Sequence, residues 1–424
     1  MKLLVVGAGG REHALCWTLA RHATVWCAPG NPGTATSATN LPIATDNEAG
    51  LADAVQRFGI DAVIVGPEAP LAAGLADRLR ARGIAVFGPS AAAARIEASK
   101  AWAKSVLHAA GIPTAASATF TDAAAARRYI DAHAEPLVVK ASGLAAGKGA
   151  VVCPTRAEAW EAARAMFDGR LGTAGDQVVI EAFLEGEELS VLALTDGQQV
   201  QLLPSAQDHK RLGEHDAGPN TGGMGAYTPV SIATPALLER VVSAVIRPTL
   251  DAMAARGAPY QGVLYAGLMI GPDGKPSVVE FNCRFGDPEA QVVLPVADLN
   301  VAETLCAIAR NDWRPARTVI PARRAAVTTI LAAPGYPEAP RKDLPITLPN
   351  DMPAETVLLH AGTRMTDRGQ LVTAGGRVLC ATGFGPDVTA AAHASRALAA
   401  LVHFDGMQWR RDIAWREIAR AGAA

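Results

Sequence analysis

The 424-residue chain is short of several things, and each shortage removes a class of function. Acidic and basic residues nearly cancel, 41 against 39, so there is no positive excess with which to hold a nucleic-acid backbone. Aromatic residues are only 5% of the chain, too few for base-stacking platforms. No apolar stretch is long enough to cross a bilayer. Gly7, Arg11 and Glu12 interrupt the N-terminal apolar run before it becomes a signal-peptide core. Cys16, Cys27, Cys153, Cys283, Cys306 and Cys380 are widely spaced, without a CxxC pair or a His/Cys cluster of metal-ligand spacing. Most read as small buried hydrophobes of a reducing compartment, so the cytoplasm is the expected location. Lysine is scarce too, eight of the 39 basic residues, so Lys100, Lys140, Lys148 and Lys210 stand out. What remains is a soluble chain, too long for one core.

The first hundred residues alternate strand and helix. Strands are expected at Lys2–Val6, Val25–Cys27, Ala62–Val65 and Ala85–Phe87, with helices over Arg11–Ala20, Leu51–Phe58 and Leu71–Arg82. That alternation predicts a parallel α/β sheet whose functional loops lie at the carboxyl ends of its strands. Helix Lys100–Ala110 opens a second unit, followed by a helix that Thr121 caps and that runs to His133. Two short strands come next around Lys140 to Gly149, then helix Ala157–Phe167 and strands Val178–Ile180 and Leu189–Leu194. Further on, a long helix over Pro235–Met253 precedes a hairpin, Leu264–Ile270 with Val278–Phe281, turning at Pro272-Asp273-Gly274. The tail is strand-rich and ends in a helix over Val388–Val402.

The chemistry gathers in a few places. Val138 to Val152 is two β-branched strands joined by a loop of glycine, alanine and lysine. Nothing in the loop packs a core, and its backbone N–H groups and lysines suit a nucleoside triphosphate. It is not a P-loop: the spacing from Gly143 to Lys148 is wrong, and Gly149 stands where Ser or Thr is needed. A glycine-rich hairpin without a ligand is the alternative. Glu280 and Asn282 end an apolar strand and share one face of it, so they offer hard oxygen ligands for Mg²⁺; a solvated strand end is the alternative. Gly7-x-Gly9 follows a strand and opens a helix, but Glu12 replaces the third glycine of a dinucleotide fingerprint and no ribose-binding acid follows the second strand. A helix N-terminus with an arginine remains, suited to a phosphate monoester or to nothing at all. The glycine-dense stretches around Gln207–Arg211 and Gly218–Gly225 read as a binding loop. His209 is a candidate base there, although a lone histidine is more often structural. The backbone from Glu181 to Leu184 suits an adenine edge, and Glu188 suits ribose hydroxyls.

Together these segments resemble the ATP-grasp superfamily and, more narrowly, the glycinamide ribonucleotide synthetase family. The likeness rests on Gly7 to His13, Gly66-Pro67-Glu68, Lys140 to Gly149, Gln207 to Arg211, Gly218 to Tyr227 and Glu280 to Glu289. It implies an ATP-grasp fold of α/β and α+β domains. Residues 1–100 would be an N-terminal parallel α/β (Rossmann-like) domain. Residues 101–324 would be the ATP-grasp region, with a small lid at about 121–193 and a central domain, and 325–424 a strand-rich C-terminal domain. The implied activity joins glycine to 5-phosphoribosylamine through a glycyl phosphate, with ATP and Mg²⁺ (or Mn²⁺). These small molecules are then the partners of a monomer that meets neither nucleic acid nor membrane. By this resemblance Glu280 and Asn282 hold the metal. Lys100, Lys140 and Lys148 face the phosphates under a moving loop that includes Ser142, Gly143, Gly147 and Gly149, while Glu181, Leu184 and Glu188 complete the nucleotide site. Gly9, Gly10 and Arg11 take the ribose phosphate, Glu68 the sugar hydroxyls and Arg284 the glycine carboxylate. Arg284 and Lys148 are the catalytic pair. Asn31, Asp208, Asn220, Thr221, Gly222, Gly223, Met224, Gly286 and Asp287 complete the substrate set. Ser142, Ala150 and Ala290 depart from the family's pattern. Leu268 stands where many ATP-grasp enzymes carry another acidic ligand.

Other readings stay open on sequence alone: a biotin-dependent carboxylase subunit or another purine-pathway ligase, a nicotinamide oxidoreductase, and a nucleotide-binding regulator without turnover.

Overall fold

Leu3, Leu4, Val5 and Val6 are all wholly buried, as a strand covered on both faces requires. They form β1 (Lys2–Gly7) at the centre of the first sheet in a computed structural model that describes residues 1–145 and 149–423. α1 (Gly10–Leu19), β2 (Thr24–Pro29), β3 (Thr39–Asn40), α2 (Glu48–Phe58), β4 (Ala62–Val65), α3 (Glu68–Ala72), α4 (Leu75–Ala81) and β5 (Val86–Phe87) complete the unit. The strand order is β3-β2-β1-β4-β5, with every neighbouring pair parallel. The single helix expected over 71–82 is two helices, because Gly74 takes φ +83° between them.

α5 (Ala91–Ala98) and α6 (Lys100–Ala109) follow, capped by the Ser90 and Ser99 hydroxyls. The lid is the antiparallel sheet of β6 (Ser117–Phe120), β7 (Leu137–Ala141), β8 (Ala150–Cys153) and β9 (Val178–Ala182), in the order β6-β9-β7-β8. α7 (Ala123–Ala132) and α8 (Arg156–Phe167) bury Ala126, Ile130, Ala159, Ala163 and Met166 against it. The α7 cap is Asp122, not Thr121: its carboxylate accepts from the Ala125 N–H at 2.7 Å.

β10 (Glu187–Thr195) and β11 (Val200–Leu202) begin the central sheet, and β12 (Gln207–Asp208), β13 (Arg211–Gly213), β14 (Ala217–Asn220) and β15 (Gly225–Thr228) follow. The long helix is α9 (Pro235–Val241), a π-helical turn over 242–246, and α10 (Arg247–Ala255). Pro248 has no N–H to return to the preceding turn, which accounts for the widening just before it. β16 (Gly262–Ile270) and β17 (Pro276–Asn282) form the expected hairpin and complete a sheet ordered β11-β10-β16-β17. α11 (Ala290–Val296) packs against α1 and β15, while α12 (Val301–Arg310) packs against β4 and β5 at the first sheet's edge.

The remainder is β18 (Ala325–Ala332), β19 (Thr356–His360), β20 (Thr363–Met365), β21 (Leu371–Thr373), β22 (Arg377–Gly385), α13 (Val388–Leu401) and α14 (Trp415–Ala423). Its sheet runs β12-β15-β18-β22-β19, so two strands from the middle of the chain belong to it. All six cysteines are unpaired and buried. Among the described residues no helix is long and apolar enough to cross a membrane.

The N-terminal and C-terminal parts meet at two histidines. The His360 N–H donates to His13 Nδ1 at 2.7 Å, and Asn31 donates to the His360 carbonyl at 2.9 Å. Burial lowers His13 from 6.5 to about 3, with the positive charge of His360 adding to it, and burial alone lowers His360 to about 4. Both rings are therefore neutral in the native chain at pH values where the unfolded chain has begun to take up protons. Above pH 6.5 this costs nothing. As the pH falls below that value, stability is lost by about 1.4 kcal/mol per unit for each ring until its native pKa is reached. Urea unfolding at pH 7 and pH 5 should show this loss, and H13Q/H360Q should flatten it.

Candidate active site

A cavity of about 460 Å³ lies between the lid and the central sheet. Ala103, Leu107, Val138, Val152, Leu184 and Met269 make one end apolar. Glu280 and Asn282 reach the same cavity from β17. The ladder between β16 and β17 slips at this point: Gly267 pairs with Glu280 but Leu268 with Val278, leaving Val279 as the extra residue of a bulge. Its carbonyl accepts from Lys140 Nζ at 3.0 Å, so the bulge fixes a lysine one residue before the metal-type carboxylate. Burial works against ionising Glu280, but Lys210, Lys140, Lys100 and Arg284 together hold it below the usual carboxylate range. Among the described residues neither Glu280 nor Asn282 makes a side-chain hydrogen bond, and only Lys210, at 3.8 Å, lies within ion-pair distance of Glu280. Two hard oxygens left unbonded beside several cations fit Mg²⁺. That ion takes its other ligands from phosphate and water, which agrees with there being no cluster of three or more His, Cys, Asp or Glu ligands among the described residues. Leu268 is buried and supplies no ligand.

Lys140 also pairs with Glu181 at 3.0 Å, so the Glu181 carboxylate is turned to lysine. Lys100 opens α6, and its Nζ donates to the Gly143 carbonyl at 3.4 Å. Burial lowers its pKa, while Glu280 opposes that. Ser142 and Gly143 stand behind the cavity: the Lys100 and Ala101 N–H groups bond to Ser142, and the Gly143 N–H bonds to the Ala174 carbonyl. Gly149, Leu184 and Glu188 line the cavity. Gly147 and Lys148 lie outside the described residues. On the opposite wall Lys210 pairs with Glu188 at 2.6 Å. Against the pull of burial, Glu188, Asp208 and Glu280 keep Lys210 protonated well above its ordinary range. Burial drives Asp208 well up; Lys210 opposes this, and Glu289, Glu188 and Glu280 reinforce it.

The far end holds arginines already paired with carboxylates. Arg284 contacts Glu97 at 2.7 Å and Glu68 at 3.2 Å and donates to the Phe285 carbonyl, which leaves donors on both terminal nitrogens. Arg11 is buried against Glu12 at 2.5 Å, with Glu68 at 3.8 Å. The Gly9 N–H is bonded to Glu12 at 2.6 Å, and Gly10 is packed against Gln291 and Cys380. Glu12 thus takes the Gly9 N–H just before α1, while among the described residues the Gly10 and Arg11 N–H groups make no hydrogen bond. Asn31 lies outside the cavity, its amide bonded to Ala8, His360, Gly33 and Thr34. Asp208, Asn220, Thr221, Gly222 and Asp287 do line it. Met224 is wholly buried in the core, and Gly223 and Gly286 do not line the cavity but pack against Pro288 and Glu289. Gly223 has φ +107°, and a Cβ there would meet Pro288 Cδ at 2.5 Å, so only glycine fits. His209 is structural: it is buried, its Nε2 accepts from the Ala414 N–H at 3.2 Å, and burial lowers its pKa to about 4.

This arrangement has counterparts. The chain matches Phosphoribosylglycinamide synthetase, N domain, over 1–97, its ATP-grasp (A) domain over 98–290 and its C domain over 326–416. The phosphoribosylamine–glycine ligase of Nostoc sp. is 48% identical over 422 residues, covering 98% of this chain and 99% of its own. That of Agrobacterium fabrum is 46% identical over 434 residues, covering all of both chains. This chain belongs to the phosphoribosylamine–glycine ligase family. The crystal structure of the Thermotoga maritima ligase superposes with TM-score 0.85 at 34% identity, covering 97% of this chain and 100% of that one. The biotin carboxylase domain of Hydrogenobacter thermophilus 2-oxoglutarate carboxylase, solved with MgADP and bicarbonate, reaches TM-score 0.73 at 18% identity over 96% of this chain and 91% of its own, which shows a shared ATP-grasp fold.

For a member of this ligase family, three lining residues were not evident in the sequence. Glu97 pairs with Arg284 and accepts from the Cys283 N–H at 2.7 Å. Arg377 of β22 holds the Gly222 and Asp287 carbonyls and the Asp287 carboxylate. Lys104 contacts Glu181 at 3.2 Å. Glu97 and Arg377 sit in no local motif. The scarcity of lysine that drew notice to four others applied equally to Lys104.

Proposed function

We propose that this protein joins glycine to 5-phosphoribosylamine, using ATP and giving glycinamide ribonucleotide, ADP and phosphate. A carboxylate resists attack by an amine. The γ-phosphoryl group therefore passes to a glycine carboxylate oxygen, releasing ADP, and the amine then displaces phosphate from the glycyl phosphate with loss of a proton. The single observation that carries this reading is the cavity in which Glu280 and Asn282 of β17, free of side-chain hydrogen bonds, meet Lys100 of α6, Lys140 of β7 and Lys210 from the turn between β12 and β13.

Glu280 and Asn282 would hold Mg²⁺, or Mn²⁺, which neutralises phosphate charge when bound. Lys100 and Lys140 orient the triphosphate, and the apolar end takes the base next to the 181–184 backbone. Lys148 completes the grip from the loop. Arg284 takes the glycine carboxylate through its remaining donors, and Arg11, Glu68 and Asp287 orient the ribosylamine phosphate. We further infer units of 1–100, 101–324 with a lid at about 121–193, and 325–424, acting as a cytoplasmic monomer; sedimentation equilibrium tests the last point. The decisive assay is ADP release. Glycine plus 5-phosphoribosylamine should support it and bicarbonate should not; release with bicarbonate alone would refute the reading.

A further inference from the structure

Lys104, Glu181 and Lys140 form a buried row between α6, β9 and β7, each side chain 7% exposed or less. Glu181 gives one oxygen to each lysine, at 3.2 Å to Lys104 and 3.0 Å to Lys140. Lys104 spends its other two N–H groups inside the protein, on Thr114 Oγ1 at 2.7 Å and the Ala115 carbonyl at 3.2 Å. With all three donors used it has none for a ligand. Lys140 binds Glu181 and the Val279 carbonyl and keeps one donor. The Thr114 hydroxyl passes the chain on to the Val278 carbonyl at 2.7 Å, so both lysines are anchored to successive carbonyls of the strand that carries Glu280.

Two ammonium groups share one carboxylate here, and the surplus positive charge faces the cavity at Lys140. We propose that Lys104 is a positioning residue whose charge offsets Glu181, leaving Lys140 free to act as a cation toward a bound polyphosphate. Without Lys104, Glu181 would neutralise Lys140 completely. The inference rests on the reading of this cavity as a nucleoside triphosphate site.

The test is calorimetric titration of the full chain with β,γ-imido-ATP and Mg²⁺. K104M should weaken binding about tenfold while the KM for glycine holds, because only a nearby anion feels the lost charge. K104M/E181Q removes the offset together with the carboxylate it offsets, restores the surplus charge, and should bind within about threefold of the unaltered protein. A purely structural Lys104 predicts the opposite order, with the double variant no better than the single one. Equal binding by K104M and the unaltered protein, or a double variant as weak as K104M, overturns the proposal. Should K104M not fold, the double variant decides alone: near-native affinity supports the charge argument and a tenfold loss ends it. Absence of binding by the unaltered protein would instead remove the triphosphate reading itself.

Discussion

E280Q should lower kcat/KM by about a thousandfold or more if Glu280 holds the metal as proposed, because an amide then replaces a metal-holding carboxylate in a preorganised site. The variant keeps shape and loses charge. Glu280 is also the shared counter-ion of Lys210, Lys140, Lys100 and Arg284. Its removal leaves those cations less neutralised, so ATP without metal should bind E280Q as tightly as the parent or more so. Turnover and metal-free affinity are therefore expected to move in opposite directions. ADP release and a titration in the presence of a chelator measure both, and a parallel fall in the two would show that Glu280 does not balance the lysines.

R284M should show two separable losses. Removing the guanidinium strands Glu97, whose side chain is 9% exposed, and Glu68. Leaving a buried partner unpaired costs about 3–5 kcal/mol of stability. Glycine usage should fall by a further 2–5 kcal/mol or so if the guanidinium also meets the substrate carboxylate. R284M/E97Q separates them, because it relieves the stranded charge without restoring the grip. Recovery of the unfolding midpoint with glycine KM still raised is the expected result. Recovery of both would mean that Arg284 acts only on its acidic neighbours.

Much of the fold was legible because the local patterns are strong. Leu3 to Val6 is a continuous apolar strand, and Ile270 and Val278 flank a Pro-Asp-Gly turn with the right spacing. The break at Gly74 was not, since the apolar pattern runs on through it and only the backbone conformation ends the helix. Of the residues that motifs singled out, Glu280, Asn282 and Lys140 line the cavity. Those missed reach the cavity only through tertiary packing: Arg377 comes from about 95 residues beyond Asn282, in a segment with no signature of its own. Spacing alone could not show that Glu12 folds back onto the Gly9 N–H, beside the helix end expected to take a phosphate.

The sheet that joins β12 and β15 to β18, β22 and β19 has a bearing on synthesis. β12 and β15 are made well before the strands that complete their sheet, the first of which begins only at Ala325. A nascent chain must therefore carry an open strand edge at β15 until that late segment arrives, and long-range pairing of this kind is slow and prone to aggregation. Products truncated near residue 320 would keep that edge permanently bare.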